Sequence, residues 1–156
     1  MSLLPFFQLC EHSAIGETIR NSLWLFPVIE SFHLLGLVVI GGSVLLVDMR
    51  LLGLGLRSQP VAQLAKDTQP WLVGSLAVML TSGALLFTSE AIKCYYHAAF
   101  WVKMTSLFLA ILFTFTVRRR VAGADRATPL QSKLVALASV TLWSAVGIGG
   151  RWIGFS

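Results

Sequence analysis

The sequence predicts an all-α protein, an integral membrane four-helix bundle, and two observations support this fold class. Hydrophobic residues make up 56% of the 156 positions and charged residues only 12%, which is too apolar for an ordinary soluble domain. Four apolar stretches, at residues 24–47, 71–88, 98–117 and 134–150, each come close to the roughly 20 helical residues that cross a hydrocarbon core. None shows the short alternating strands of a membrane barrel, so helices are the structure that satisfies every backbone group in lipid.

The other segments connect these helices within a single domain, residues 1–156. Residues 9–21 mix apolar side chains with charges, which predicts an interfacial N-terminal helix in which Ser13 or Ser22 caps a turn. Pro60 and Pro70 mark the first connection as a loop. Five tryptophans lie near predicted helix ends and are interpreted as membrane anchors, because their rings prefer the headgroup level: Trp24, Trp71, Trp101, Trp143 and Trp152.

Basic residues are concentrated in the first and third connections. These two segments contain Arg50, Arg57, Lys66, Arg118, Arg119, Arg120, Arg126 and Lys133. By the positive-inside rule both connections are cytoplasmic, so both termini are predicted to be periplasmic. We interpret the net charge of +5 as an orientation signal and expect no nucleic-acid binding, since no aromatic residues alternate with the basic run.

Three ionisable residues lie inside the apolar stretches, where charge is costly and indicates a functional site. At 1.5 Å per residue, Glu30 lies about 9 Å and His33 about 13 Å below the start of the first helix. Lys103 lies about 8 Å below the start of the third helix, which runs in the same direction relative to the membrane. Because their depths match, Glu30 and Lys103 are expected to form a buried pair between helices.

A histidine inside a membrane bundle suggests haem b, because a porphyrin needs apolar walls, one or two imidazoles and cations for its propionates. His33 is the predicted axial ligand, with His97 or Met104 as a possible second ligand. If the third helix begins at Ala98, His97 is about 13 Å shallower than His33. The cations expected near the propionates are Arg20, Lys93 and Arg151.

Other chemistries remain as alternatives to haem. Copper would use His33, Cys94, His97 and Met104, whereas Glu30 and His33 resemble half of a di-iron site. A non-redox scaffold or accessory subunit, and a small proton-coupled or metal carrier, would use the same polar residues differently. The sequence lacks a phosphate-binding loop, a nucleophile elbow and a zinc-protease helix, so a stand-alone enzyme is not expected.

Two residue pairs have predicted structural roles. Cys10 and Cys94 form either one disulfide or two free thiols. The presence of two cysteines is compatible with both states. Asp48 and Arg50, at the cytoplasmic end of the first helix, are expected to pair with each other.

Several motifs together resemble a known family. They are Arg20-x-Ser22-x-Trp24-x-x-Pro27-x-x-Glu30-x-x-His33-x-x-Gly36, then Asp48-Met49-Arg50-Leu51-Leu52-Gly53, Phe100-x-x-Lys103 and Gly150-Arg151-Trp152-Ile153-Gly154. Nearly the whole chain is similar to a family of small bacterial four-helix membrane proteins of unknown function. The resemblance implies a bacterial inner membrane location but no activity. From the residues, we expect a b-type haem cytochrome or electron-transfer subunit that is a homo-oligomer or part of a membrane complex.

Overall fold

Most of the chain is helical in the computed structural model, which describes residues 3–55, 58–124 and 127–154. The helices in chain order are α1 (Leu4–Glu11), α2 (Ala14–Asn21), α3 (Leu25–Leu51), α4 (Val61–Ser89), α5 (Ala91–Tyr96), α6 (Ala98–Phe113), a π turn (Thr114–Arg118), α7 (Arg119–Ala122) and α8 (Pro129–Gly154). Four spans are long and apolar enough to cross a membrane: α3, α4, residues 98–122 and α8. The predicted all-α membrane bundle is therefore confirmed.

The helices contain the predicted apolar stretches but extend beyond most of them. Helix α4 begins at Val61 instead of residue 71, and α8 covers Pro129–Gly154 instead of residues 134–150. Hydropathy marks only the apolar part of a helix, whereas polar residues continue the same helix toward water. Pro70 lies inside α4, so the prediction that it marks a loop is wrong. Pro70 and Lys66 are both exposed, so water can bond the Lys66 carbonyl that proline leaves without a donor.

The four spanning helices alternate in direction and share one apolar core. Helix α3 packs against both α4 and α8, and α6 packs against α8. The centre of the core contains Trp143, which is only 8% exposed and donates from Nε1 to Thr114 Oγ1 at 3.1 Å. The prediction that Trp143 is a membrane anchor is therefore wrong. The other core residues are Ile40, Val44, Leu72, Leu76, Ala110 and Val146.

The N-terminal segment forms two short helices instead of one interfacial helix. Ser13 separates them and caps α2, because its Oγ accepts from Gly16 N at 3.2 Å. Phe7 of α1 is 5% exposed and packs against Phe87 and Tyr95. We call this end of the bundle, where α1, α2 and α5 pack beside the end of α4, the capped end.

Polar contacts fasten the capped end. Glu11 Oε2 accepts from Ile92 N at 2.6 Å, so it caps the start of α5. Arg20 Nη1 donates to Ser89 O at 3.2 Å, at the last residue of α4, and lies 3.4 Å from Glu11 Oε1. Cys10 packs against the same buried cluster as Cys94, and both are free thiols.

The opposite end, which we call the basic end, contains a buried ion pair. Arg118 Nε lies 2.7 Å from Asp48 Oδ1, and Arg118 Nη2 donates to Val44 O at 3.0 Å. Arg50 instead donates to Gln59 O at 2.8 Å, so the predicted Asp48–Arg50 pair is wrong. The π turn ends at Arg118, whose side chain is buried, whereas the next residue, Arg119, is exposed. Two of the predicted basic residues, Arg57 and Arg126, lie outside the described residues.

Candidate functional site

His33 is held on the inner side of α3 by a hydrogen bond to α4. Its Nδ1 lies 2.8 Å from Ser82 Oγ. In the tautomer in which Ser82 Oγ gives its proton to Val78 O, at 2.5 Å, Oγ accepts from Nδ1–H of His33. The neutral ring then carries its lone pair on Nε2. A histidine with Nδ1 anchored and Nε2 available is the form that binds iron and other metals.

Glycine at position 83 makes room for the imidazole. A Cβ built on Gly83 would lie 3.1 Å from His33 Cε1, which is closer than ordinary packing allows. The pair Ser82-Gly83 therefore provides both the hydrogen-bond partner and the space for the ring. Ser82 is not among the residues that the sequence predicts for the site.

Lys103 approaches α8 closely from α6. A Cβ built on Gly149 would lie 3.2 Å from Lys103 Cβ, and one built on Gly150 would lie 3.3 Å from Lys103 Nζ. Among the described residues, no carboxylate lies within 4.0 Å of Lys103 Nζ. Its ammonium is thus a half-buried cation without an ion-pair partner in that part of the chain.

Two adjoining cavities meet at His33 and Lys103. The first, of about 190 Å³, extends into the capped end, and its lining includes Glu30, Glu90 and Arg151. The second, of about 290 Å³, is lined by residues of all four spanning helices. Their shared lining is His33, Met79, Gly83, Phe87, Phe100, Lys103 and Val146. The site is therefore apolar-walled, with one imidazole and one ammonium in the common wall.

The structure brings six of the predicted site residues to these cavities. The first cavity is lined by Glu30, His33, Cys94, Lys103 and Arg151, and Met104 lines the second together with His33 and Lys103. No ion pair joins Glu30 and Lys103 in the described ranges. Glu30 is exposed in the single chain. Glu30 and Lys103 therefore line the same cavity without forming the expected ion pair.

Three other predicted residues lie elsewhere in the capped end. Helix α6 begins at Ala98, so His97 falls in the turn before it and lines neither cavity. His97 Nδ1 is buried and has no hydrogen-bond partner among the residues described. Arg20 is bound to Glu11 and Ser89, and Lys93 Nζ lies 3.7 Å from Glu90 Oε2.

The described residues offer no protein-only metal site. They contain no group of three or more His, Cys, Asp or Glu side chains able to hold a metal ion. Cys94 lines the first cavity, but burial, and next the charge of Glu90, raise the pKa of its thiol to about 11. At neutral pH this thiol is therefore protonated when no metal is bound. The copper and di-iron alternatives therefore gain no support, whereas haem needs only one or two protein ligands.

Fold and site together define a multi-pass membrane protein with a polar site inside its helical bundle. A family model matches residues 6–156, and the chain belongs to that family, described as a family of unknown function (DUF6644). No curated protein and no solved structure matches the chain significantly.

Proposed function

We propose that this protein is a b-type haem membrane cytochrome or electron-transfer subunit, with His33 as the axial ligand through Nε2. The observation that carries the proposal is the hydrogen bond from His33 Nδ1 to Ser82 Oγ at 2.8 Å, in the common wall of two apolar cavities. This bond fixes the ring and the tautomer, as the outer partners of metal-binding histidines do.

The dimensions and walls of the cavities support a flat apolar cofactor. Small-molecule sites typically have volumes of about 300–1,000 Å³, and the adjoining cavities of about 190 and 290 Å³ together reach the low end of that range. Phe87 and Phe100 lie in the shared wall, with ring centroids 5.6 Å apart and planes 16° apart. These rings supply part of the apolar wall that a porphyrin needs.

Two further residues have roles in this proposal. Met104 is the candidate second ligand, because it lines the second cavity with His33. Arg151 is the candidate propionate partner, because it lines the first cavity, which extends into the capped end. When bound, haem would supply one-electron transfer between ferric and ferrous iron. The protein would hold and orient the haem and keep bulk water away from it, and it would pass electrons within a larger membrane assembly or homo-oligomer.

The carrier alternative gains less support from the arrangement of the core. A proton or ion path would have to connect the His33 site to polar groups near the basic end. The cluster of Ile40, Val44, Leu76 and Trp143 lies between them along the bundle. This apolar layer interrupts a continuous polar route.

Variants at two histidines separate haem binding from a scaffold role. His33→Ala, made in a haem-replete host, should lose the Soret band and keep the elution volume of the wild type in detergent. His12→Ala is the matched control, because His12 is an exposed histidine on the N-terminal segment and should keep the full pigment. Unchanged pigment in His33→Ala would overturn the proposal, and collapse of the assembly without a pigment change would favour the scaffold.

A further inference from the structure

Three arginines follow one another at the basic end, and the bundle uses only the first of them internally. Arg118 is buried against Asp48 and Val44 O, whereas Arg119 and Arg120 are exposed. Among the described residues, no carboxylate lies within 4.0 Å of either exposed guanidinium. The charges of these two side chains are therefore not neutralised within that part of the chain.

Lys133 adds a third cation next to these arginines. It is exposed in α8, about one turn after that helix begins at Pro129. Helix α7, which contains both exposed arginines, packs against α8. In the described ranges, Lys133 Nζ likewise has no carboxylate within 4.0 Å. We call Arg119, Arg120 and Lys133 the exposed cation group.

The basic end has few negative charges that could balance this group. Its described residues include two carboxylates, those of Asp48 and Asp67. Asp48 is fully buried and paired with Arg118, and Asp67 lies on α4, which does not pack closely against α8. The positive potential at the exposed cation group therefore favours an anion from outside the protein.

Exposed apolar side chains continue from these cations toward the middle of the bundle. They are Leu112 and Val117 on the third span and Leu134 and Leu137 on α8. In a bilayer these side chains contact acyl chains, because both helices are long and apolar enough to cross it. A ligand with a phosphate at one end and hydrocarbon chains at the other matches both features of this surface.

We propose that the exposed cation group binds the phosphate of an anionic phospholipid, whose acyl chains lie along the third span and α8. The guanidinium groups can donate paired, charge-assisted hydrogen bonds to phosphate oxygens, and the lysine ammonium adds a point charge. Clusters of Lys and Arg beside membrane helices are typical binding sites for anionic headgroups. This inference does not depend on the proposed haem.

Lipid titration of the purified protein tests the site. Delipidated wild-type protein in neutral detergent is titrated with phosphatidylglycerol or with phosphatidylcholine, and bound lipid is counted by native mass spectrometry. Phosphatidylglycerol should bind about a hundredfold more tightly, because three cations near the membrane surface contribute roughly fivefold each. The phosphate of phosphatidylcholine is balanced by its own quaternary ammonium. Equal affinities for the two lipids would overturn the proposal.

Single variants separate a defined site from a general attraction of positive charge. Arg119→Gln, Arg120→Gln and Lys133→Gln should each lower the affinity for phosphatidylglycerol about fivefold. Lys66→Gln is the matched control, because Lys66 is also an exposed cation of the basic end but lies on α4, and it should bind like the wild type. Circular dichroism checks that each variant keeps its helical content. Equal losses in all four variants would overturn the site.

A soluble phosphate distinguishes a lipid from a free phosphate as the ligand. Glycerol 3-phosphate has a phosphate group but no acyl chains. At millimolar concentration it should leave bound phosphatidylglycerol in place, because the apolar side chains on the third span and α8 hold the acyl chains. Displacement of the lipid at that concentration would overturn the lipid as the ligand and assign the exposed cation group to a soluble phosphate.

Discussion

His33 depends on a serine that is distant in the sequence. Most serines in these helices bond only to the carbonyl one turn earlier, as Ser75 does with Trp71 O at 2.7 Å. Ser82 makes the same kind of bond and in addition accepts from His33, 49 positions away. That second bond is the one that orients the imidazole for a ligand.

Removing this hydrogen bond should weaken cofactor binding without removing the ligand. Ser82→Ala is expected to reduce haem affinity about 10- to 100-fold, as is typical of outer partners of metal ligands. Haemin titration of the apoprotein measures the change. Ser75→Ala, another buried serine of α4, should bind haem like the wild type. Equal affinities of the two variants would show that Ser82 does not hold the histidine in its binding orientation.

The pKa of Cys94 predicts its reactivity with pH. Burial, and then the negative charge of Glu90, raise this pKa from 9.0 to about 11. Only the thiolate is alkylated, so at pH 8 about one Cys94 in a thousand is reactive. In Cys10→Ser protein, the initial iodoacetamide rate, measured by mass spectrometry, should rise tenfold per pH unit up to about pH 10.5. A plateau by pH 8 would contradict the assignment.

The sequence predicts some site residues and misses others for physical reasons. Charges inside apolar stretches are conspicuous, which is why Glu30, His33 and Lys103 could be selected. Ser82 could not be selected in this way, because the hydroxyl of a serine in a membrane helix usually donates a hydrogen bond to a carbonyl of its own helix. His97 was selected by helical spacing, but α6 begins one residue later.

At the scale of elements, a π turn and a buried ion pair lock the basic end. Asp48 is fully buried and Arg118 is 5% exposed. Their contact joins α3 to the end of the third span. Hydropathy could not reveal this pairing, because a π turn changes the register of the helix without changing its composition. The predicted Ser13 cap is confirmed, since its Oγ accepts from Gly16 N at 3.2 Å, although the sequence predicts one helix in this segment and the structure has two.

Breaking this pair should destabilise the bundle strongly. Asp48→Ala leaves the Arg118 guanidinium buried without a carboxylate, so the free energy of unfolding should fall by about 3–5 kcal/mol. Denaturant unfolding in detergent, monitored by circular dichroism, measures this free energy. Asp67→Ala is the control, because Asp67 is exposed and bonds only Gln63, and its effect should stay within about 0.5 kcal/mol. Similar losses in both variants would contradict a locking role.

At the scale of the whole molecule, the two ends of the bundle differ in charge and in packing. The capped end contains the polar site, and the basic end contains exposed cations such as Arg119, Arg120 and Lys133. The number of spans and their approximate positions follow from hydropathy. The order in which the helices pack does not follow from hydropathy, because all four spans are similarly apolar.

The asymmetry of charge predicts orientation in the membrane. Alkaline phosphatase, which is active only outside the cytoplasm, should be active when fused after residue 154 and inactive when fused after residue 124. By the positive-inside rule we expect the basic end in the cytoplasm and the polar site toward the periplasm. A green fluorescent protein fused at the same two positions should give the reverse pattern. Activity at residue 124 would invert the orientation.

The reduced-minus-oxidised visible spectrum of the purified protein, with a pyridine haemochrome assay, tests the central claim most directly. Wild-type protein from a haem-replete host should carry about one b-type haem per chain, because the described site presents one inward histidine. His97→Ala should keep this haem, since His97 lines neither cavity, and His33→Ala should lose it. A colourless wild-type protein would contradict the account.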